Sequence, residues 1–155
     1  MRKCGVLMPV SSLEGPYGIG GFGKKAYQFV DFLAEAGQQI WQLLPLSPTG
    51  YGDSPYQSCS AFAGNPYFID LDTLCGQGLL QAGEYEGEEW AQTDTAVDYG
   101  AIYFYRFPVL RKAYARFAAY PPDDYYTFCF ENESWLDDYA LFMALKDAFD
   151  FKAWN

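Results

Sequence analysis

The stretch KKAYQFVDFLAEAGQQIWQLLPLSPTGYGDSPYQS, residues 24–58, decides the fold. Ala26, Phe29, Val30, Leu33 and Ala36 recur at helical spacing, so a helix is expected from Lys24 to Ala36. Gly37 follows at once, where a residue free to turn left-handed stops a helix. Ile40 to Leu44 is then a short apolar run of strand length. Upstream, Cys4 to Met8 is another such run, and Pro9 to Gly23 is turn-rich, with five glycines. Strand, helix, strand in that order is a βαβ pattern, which places the chain among α/β folds with parallel strands. Tyr67 to Leu71 is expected as a third, shorter strand.

The second strand runs into a loop rich in Pro, Gly and Ser. Pro45, Pro48 and Pro55 fix φ there, and Gly50 and Gly52 allow turns closed to other residues. The loop offers hydroxyls, the carboxylate of Asp53 and the flat faces of Tyr51 and Tyr56. It has no positive charge, and no thiol before Cys59. That inventory suits a neutral polyhydroxylated ligand, a sugar, better than a phosphate or a metal.

Composition narrows the function classes further. The net charge is −10, and no Lys or Arg occurs between Lys25 and Arg106. A nucleic-acid binder needs clustered cations, so that class is set aside. An acidic chain is also repelled by anionic membranes. The cysteines Cys4, Cys59, Cys75 and Cys129 form no Cys-x-x-Cys pair, and histidine is absent, so a zinc site lacks its usual ligands. The apolar run after Met1-Arg2-Lys3 is broken by Gly5 and Pro9, too short for a signal peptide or a membrane span. Reduced cysteines in the cytoplasm are the expectation. Aromatics make up 20% of residues, which fits an aromatic core with some tyrosines facing a sugar.

Beyond Thr73 the pattern turns helical. Glu84 to Glu89 reads as a solvated acidic cluster. Ala101 to Ala119 reads as a helix that Pro108 either kinks or divides, and Pro121-Pro122 ends it. Ser134 is expected to open another helix, with Asp137 three residues on as in a capping box. Leu136, Tyr139, Ala140, Phe142 and Met143 are its expected core face.

GPYGIGGFG (15–23), WQLLPLSPTGYGDSPYQS (41–58) and SAFAGNPYFIDL (60–71) resemble the N-terminal signatures of the 4-α-glucanotransferases, also called amylomaltases or disproportionating enzymes, glycoside hydrolase family 77. VDYGAIYFYRFPVL (97–110) and ESWLDDYALFMALKD (133–147) resemble later segments in the same order. Family members are several times longer, so the resemblance implies an N-terminal portion. It implies the first βα units of a (β/α)₈ TIM barrel at 1–72, with a sugar-binding loop at 45–63, and a mainly helical inserted subdomain at 73–155. An eight-stranded barrel cannot close on two or three strands.

The activity implied is transfer of an α-1,4-glucan segment to a 4-hydroxyl, with retention and without a cofactor or metal. Retention takes two carboxyl groups about 5 Å apart. Asp53, Asp70, Asp72 and Asp98 come with no convincing Glu partner, and the family's catalytic acids lie on later strands. No catalytic residue is therefore assigned, and the chain alone is expected to be inactive. By resemblance, Tyr56 stacks on the glucose unit at the scission site, and Asp53 and Ser54 beside it bond hydroxyls or simply hold the loop. Tyr51 and Tyr103 match tyrosines of a second glucan-contacting surface in some members; packing is the alternative for each tyrosine. Asn65-Pro66-Tyr67 reads as a structural turn, or as one that orients the loop. A rival reading from another class is a non-catalytic α-glucan-binding or interaction domain of this length, which the reading frame beyond Asn155 would distinguish. Gly18, Gly20 and Gly23 fit a GxGxxG spacing, but Glu35 lies within the helix, not at a strand end, and a lone match is weak.

Overall fold

The computed structural model describes residues 2–50, 52–91 and 95–152. Strand β1 (Gly5–Leu7) leads through a glycine-rich loop into helix α1 (Lys24–Glu35), which returns to strand β2 (Ile40–Gln42). The strands pair in parallel with Val6 opposite Trp41, so the βαβ expectation holds with strands shorter than the apolar runs. α1 stops as its sequence dictates. Gly37 adopts φ 70°, its N–H donates to the Ala34 carbonyl, and the Gln38 N–H reaches back to Leu33. Ala26 and Leu33 are buried, and Phe29 meets the Trp41 ring edge-on at 5.1 Å.

The expected strand at 67–71 does not form. Pro66–Phe68 is a 3-10 turn and Leu71–Gly76 is helix α2. Local capping wins: Asn65 Oδ1 accepts from the Tyr67 N–H at 3.0 Å, and Asp70 Oδ1 from the Thr73 N–H at 2.8 Å. These two caps turn the backbone away from any strand ladder.

Helix α3 (Tyr99–Ala119) starts where Asp98 Oδ1 accepts from the Ala101 N–H. Pro108 does not divide it. Ile102, Arg106, Val109 and Ala113 form one buried stripe on both sides of the proline, and that packing holds the helix together across it. The core gathers around this stripe and includes Ile19, Tyr67, Leu71, Leu80, Tyr85 and Trp90. The acidic cluster is thus only partly solvated. Tyr85 is buried, and Glu84 is gripped by both Nη atoms of Arg116, at 2.7 and 2.9 Å.

The glycine-rich loop serves backbone packing. A Cβ on Gly20 would run into the Val10 carbonyl oxygen, and Gly18, at φ 75°, lies against the Trp90 carbonyl. The Arg106 guanidinium, almost wholly buried, donates to the Ile69 carbonyl and ties α3 to the α2 cap.

Two helices complete the chain: α4 (Asp123–Glu131), which the sequence reading left without an element, and α5 (Leu136–Ala148). Neither contains a buried residue. The Ser134–Asp137 capping box is not made; Trp135 takes the cap position without a side-chain bond. Of the expected core face, Leu136, Tyr139, Phe142 and Met143 are half-buried and Ala140 is exposed. The stripe Trp135, Tyr139, Met143 rests on the loop after β2. Trp135 stacks on Phe62 at 5.7 Å, and Met143 Sδ lies 3.9 Å from Cys59 Sγ.

Candidate functional site

β1 and β2 run in the same direction, so the chain leaves both at one end of the sheet. There the segments after the two strands enclose a cavity of about 270 Å³. Ser11 and Ser12 come from the first segment, Pro45, Thr49, Asp53 and Pro55 from the second. Asn65, Phe68 and Tyr99 close it from the far side. Ligand sites collect at this end of parallel sheets because loops there vary while the strands hold them.

The loop beyond β2 is built from serine-anchored turns. The Gln57 N–H donates to the Ser54 carbonyl at 3.1 Å, and the Tyr56 N–H to Ser54 Oγ at 3.3 Å. Ser60 Oγ accepts from the N–H groups of Phe62 and Ala63 at 3.1 and 3.0 Å. The Asn65 N–H closes the loop onto the Leu46 carbonyl at 2.8 Å. Such local bonds fix a loop that has no ladder to lean on.

Tyr56 stands out from this frame, 72% exposed. It is not a core residue. Ser54 holds the backbone of Tyr56 through its hydroxyl, and in this structure its observed role is that of a loop anchor. Asp53 lines the cavity in a left-handed conformation, φ 55°, one that costs most residues about 1 kcal/mol and that Asp tolerates better. Burial pushes its carboxyl above the usual range. Tyr67 is pushed up to about 12, first by burial, then by the Asp53 charge and by Tyr103 and Tyr99. Tyr99 is raised by burial and then by Asp53, against a lowering hydrogen bond with Ser11. The fold therefore brings Asp53, Tyr67, Tyr99 and Tyr103 into one neighbourhood.

Tyr103 lies on α3 with half its surface exposed and its ring edge-on to Phe107 at 5.1 Å. Tyr51, its expected companion, lies outside the described residues. Asn65 is buried and caps the 3-10 turn, as the structural-turn reading expected, and it also lines the cavity. The sequence reading missed Ser11, Thr49 and Tyr99 as cavity walls. Asp98 just before Tyr99 was the one local signal, an N-cap that fixes where α3 meets the cavity.

The site thus presents hydroxyls, an amide, one half-buried carboxylate and open aromatic faces. Among the described residues no group of three or more Cys, Asp or Glu is placed to hold a metal ion. No helix among them is long and apolar enough to cross a membrane.

The family model described as 4-alpha-glucanotransferase, glycoside hydrolase family 77, matches residues 8–155, and the chain belongs to that family. It is 53% identical over 148 residues to the 4-alpha-glucanotransferase of Clostridium butyricum, covering 96% of this chain and 30% of that protein. To the Thermus thermophilus enzyme it is 47% identical over 158 residues, covering 99% of this chain and 31% of that one. Its fold is similar to amylomaltase from Streptococcus agalactiae in complex with acarbose, with a TM-score of 0.92 and 45% identity over 99% of this chain and 31% of that one. The chain spans about 30% of the length of the curated relatives it matches.

Proposed function

We propose that this chain is the N-terminal portion of a cytoplasmic 4-alpha-glucanotransferase, which moves a segment of an α-1,4-glucan to the 4-hydroxyl of an acceptor glucan or glucose. Residues 1–72 are then the first βα units of a (β/α)₈ barrel, and 73–155 a mainly helical insertion packed against them. The observation that carries the reading is Tyr56, 72% exposed on a serine-anchored loop at the end of the parallel strands. A pyranose has an apolar C–H face that such a ring covers while its hydroxyls bond elsewhere. Asp53 and Ser54 lie beside it as hydroxyl partners, and Tyr103 contributes to a second glucan surface. No cofactor is called for.

The retaining reaction needs a nucleophile and an acid/base about 5 Å apart. The carboxylates singled out here have other work. Asp70 caps α2 and Asp98 caps α3. Asp72 accepts from the hydroxyls of Tyr17 and Tyr85, at 2.5 and 3.1 Å. Asp53 has no acidic partner among the cavity-lining residues. In keeping with the family resemblance, which puts the catalytic acids on later strands, this chain binds and orients glucan. The 155-residue chain is expected to leave maltotriose unchanged, whereas the polypeptide completed by its downstream reading frame should yield glucose and longer maltodextrins. Disproportionation above background by the pure 155-residue chain would overturn that division of labour.

A further inference from the structure

We propose that Phe62, backed by Trp135 of α5, is a further sugar platform that binds α-1,4-glucan units outside the scission site. The proposal rests on the glucan reading of the Tyr56 loop and extends it along the same loop. Phe62 lies six residues past Tyr56 and is likewise 72% exposed. Single exposed apolar residues are ordinary. This one is not single: it lies nearly parallel to the Trp135 indole, with centroids 5.7 Å apart and planes at 21°. Trp135 is itself held, its Nε1–H donating to Asn132 Oδ1 at 3.0 Å and its ring tilted on Tyr139 at 6.1 Å. Trp135 thus backs Phe62 while the residue as a whole stays largely exposed.

The backbone beneath is fixed as well. The Phe62 N–H donates to Ser60 Oγ, and Cys59 two residues earlier touches Met143 of α5. A ring already stacked before a ligand arrives loses less freedom on binding than a free one. The chemistry of the occupant follows from what surrounds the ring. No cation occurs anywhere from residue 26 to 105, so an anionic ligand finds no partner on this loop. Phe62 brings no hydroxyl of its own, so the contact it offers is the C–H face of a neutral pyranose. Reach allows one oligosaccharide to touch both rings. Six residues span at most about 20 Å when extended, and the turns at Ser54 and Ser60 shorten that further. Maltoheptaose can bridge such a distance while keeping a glucose unit at Tyr56; maltotriose has fewer units to spare beyond it.

The test titrates the 155-residue chain with maltoheptaose and with maltotriose, following heat and tryptophan emission, with Trp135→Phe to identify the Trp135 signal. Maltoheptaose is expected to change Trp135 emission. Phe62→Ala and Phe62→Leu should weaken maltoheptaose binding roughly threefold to tenfold more than maltotriose binding. Phe62→Tyr should keep it, and as a folded control it shows that the flat face matters. Unchanged maltoheptaose affinity in Phe62→Leu, or an equal loss for both sugars, overturns the platform. So does a change in self-association in place of sugar binding, which would give the ring to a protein partner. Tyr56→Ala, run alongside, keeps the two readings apart. Loss of maltotriose binding there upholds the scission-site reading whatever happens at Phe62. Retained maltotriose binding sinks that reading, while a Trp135 response to maltoheptaose still upholds the platform and its absence overturns it.

Discussion

In a complete enzyme carrying this chain, Tyr56→Ala is expected to slow glucan transfer far more than it lowers thermal stability. The residue is 72% exposed, so the fold shields little more than a quarter of it. A tyrosine presents about 200 Å², and at about 25 cal/mol/Å² the shielded part contributes about 1 kcal/mol to stability. In a protein of this size or larger, that moves the Tm by roughly 2–4 °C. The open part is what the sugar uses. A pyranose covering one ring face removes about 70 Å² from water, about 1.8 kcal/mol, or roughly twentyfold in rate if realised in the transition state. Tyr56→Phe keeps the ring face and should retain most of the activity. The assay is glucose release from maltotriose beside thermal melts of the same preparations. A Tm drop beyond about 10 °C in Tyr56→Ala would show a packing residue, and an unchanged rate would show a ring that touches no sugar.

Two further outcomes follow from the fold. Gly20→Ala should cost at least about 2 kcal/mol in a denaturant titration, because its Cβ meets backbone oxygens that cannot swing aside, while Gly64→Ala, with open space around it, should be near neutral. A mild Gly20→Ala would mean that the Val10 and Leu13 carbonyls give way. Glu84 is held at about 2 against an ordinary 4.5 by the two Arg116 hydrogen bonds and then by the Gln81 N–H. Its folded value is depressed, so its contribution is full above pH 4.5 and fades as pH falls toward about 2. Glu84→Gln should flatten the Tm-against-pH curve in that window, and an unaltered acid limb would contradict the assignment.

The βαβ unit was legible because its signals agree. Apolar spacing in residues 24–36, Gly37 as the stop and an apolar run at 40–44 all say the same thing. The loop was legible from its Pro, Gly and Ser content. Tyr67–Leu71 misled because a short apolar run suggested a strand while Asn65-Pro66 and Asp70 carried the stronger, local instruction. Pro108 left a kink or a division open, and the continuous helix excludes the division, since a buried stripe overrides a breaker only once its partners are known. α4 was missed because its aromatic residues face outward and leave no buried period to find. At the site, Tyr56, Asp53 and Ser54 share one loop and could be read together. Ser11 and Tyr99 reach the same cavity from positions far along the chain, and only the fold brings them there.

The absence of buried residues in α4 and α5 bears on how the chain opens. Amides of α3 sit over the core and should exchange with solvent only on global unfolding. Amides of α5 have no such burial behind them, and its exposed contacts to the loop, Phe62 and Cys59, are few and shallow. Local fraying of α5 should therefore set the exchange of Phe62, whose N–H hangs on a serine hydroxyl. The inner arm, closed by the Asn65 N–H on Leu46, belongs instead to the slow unit, since Asn65 is buried. One loop is thus divided between two opening units, its root clocked by the core and its rim by a surface helix.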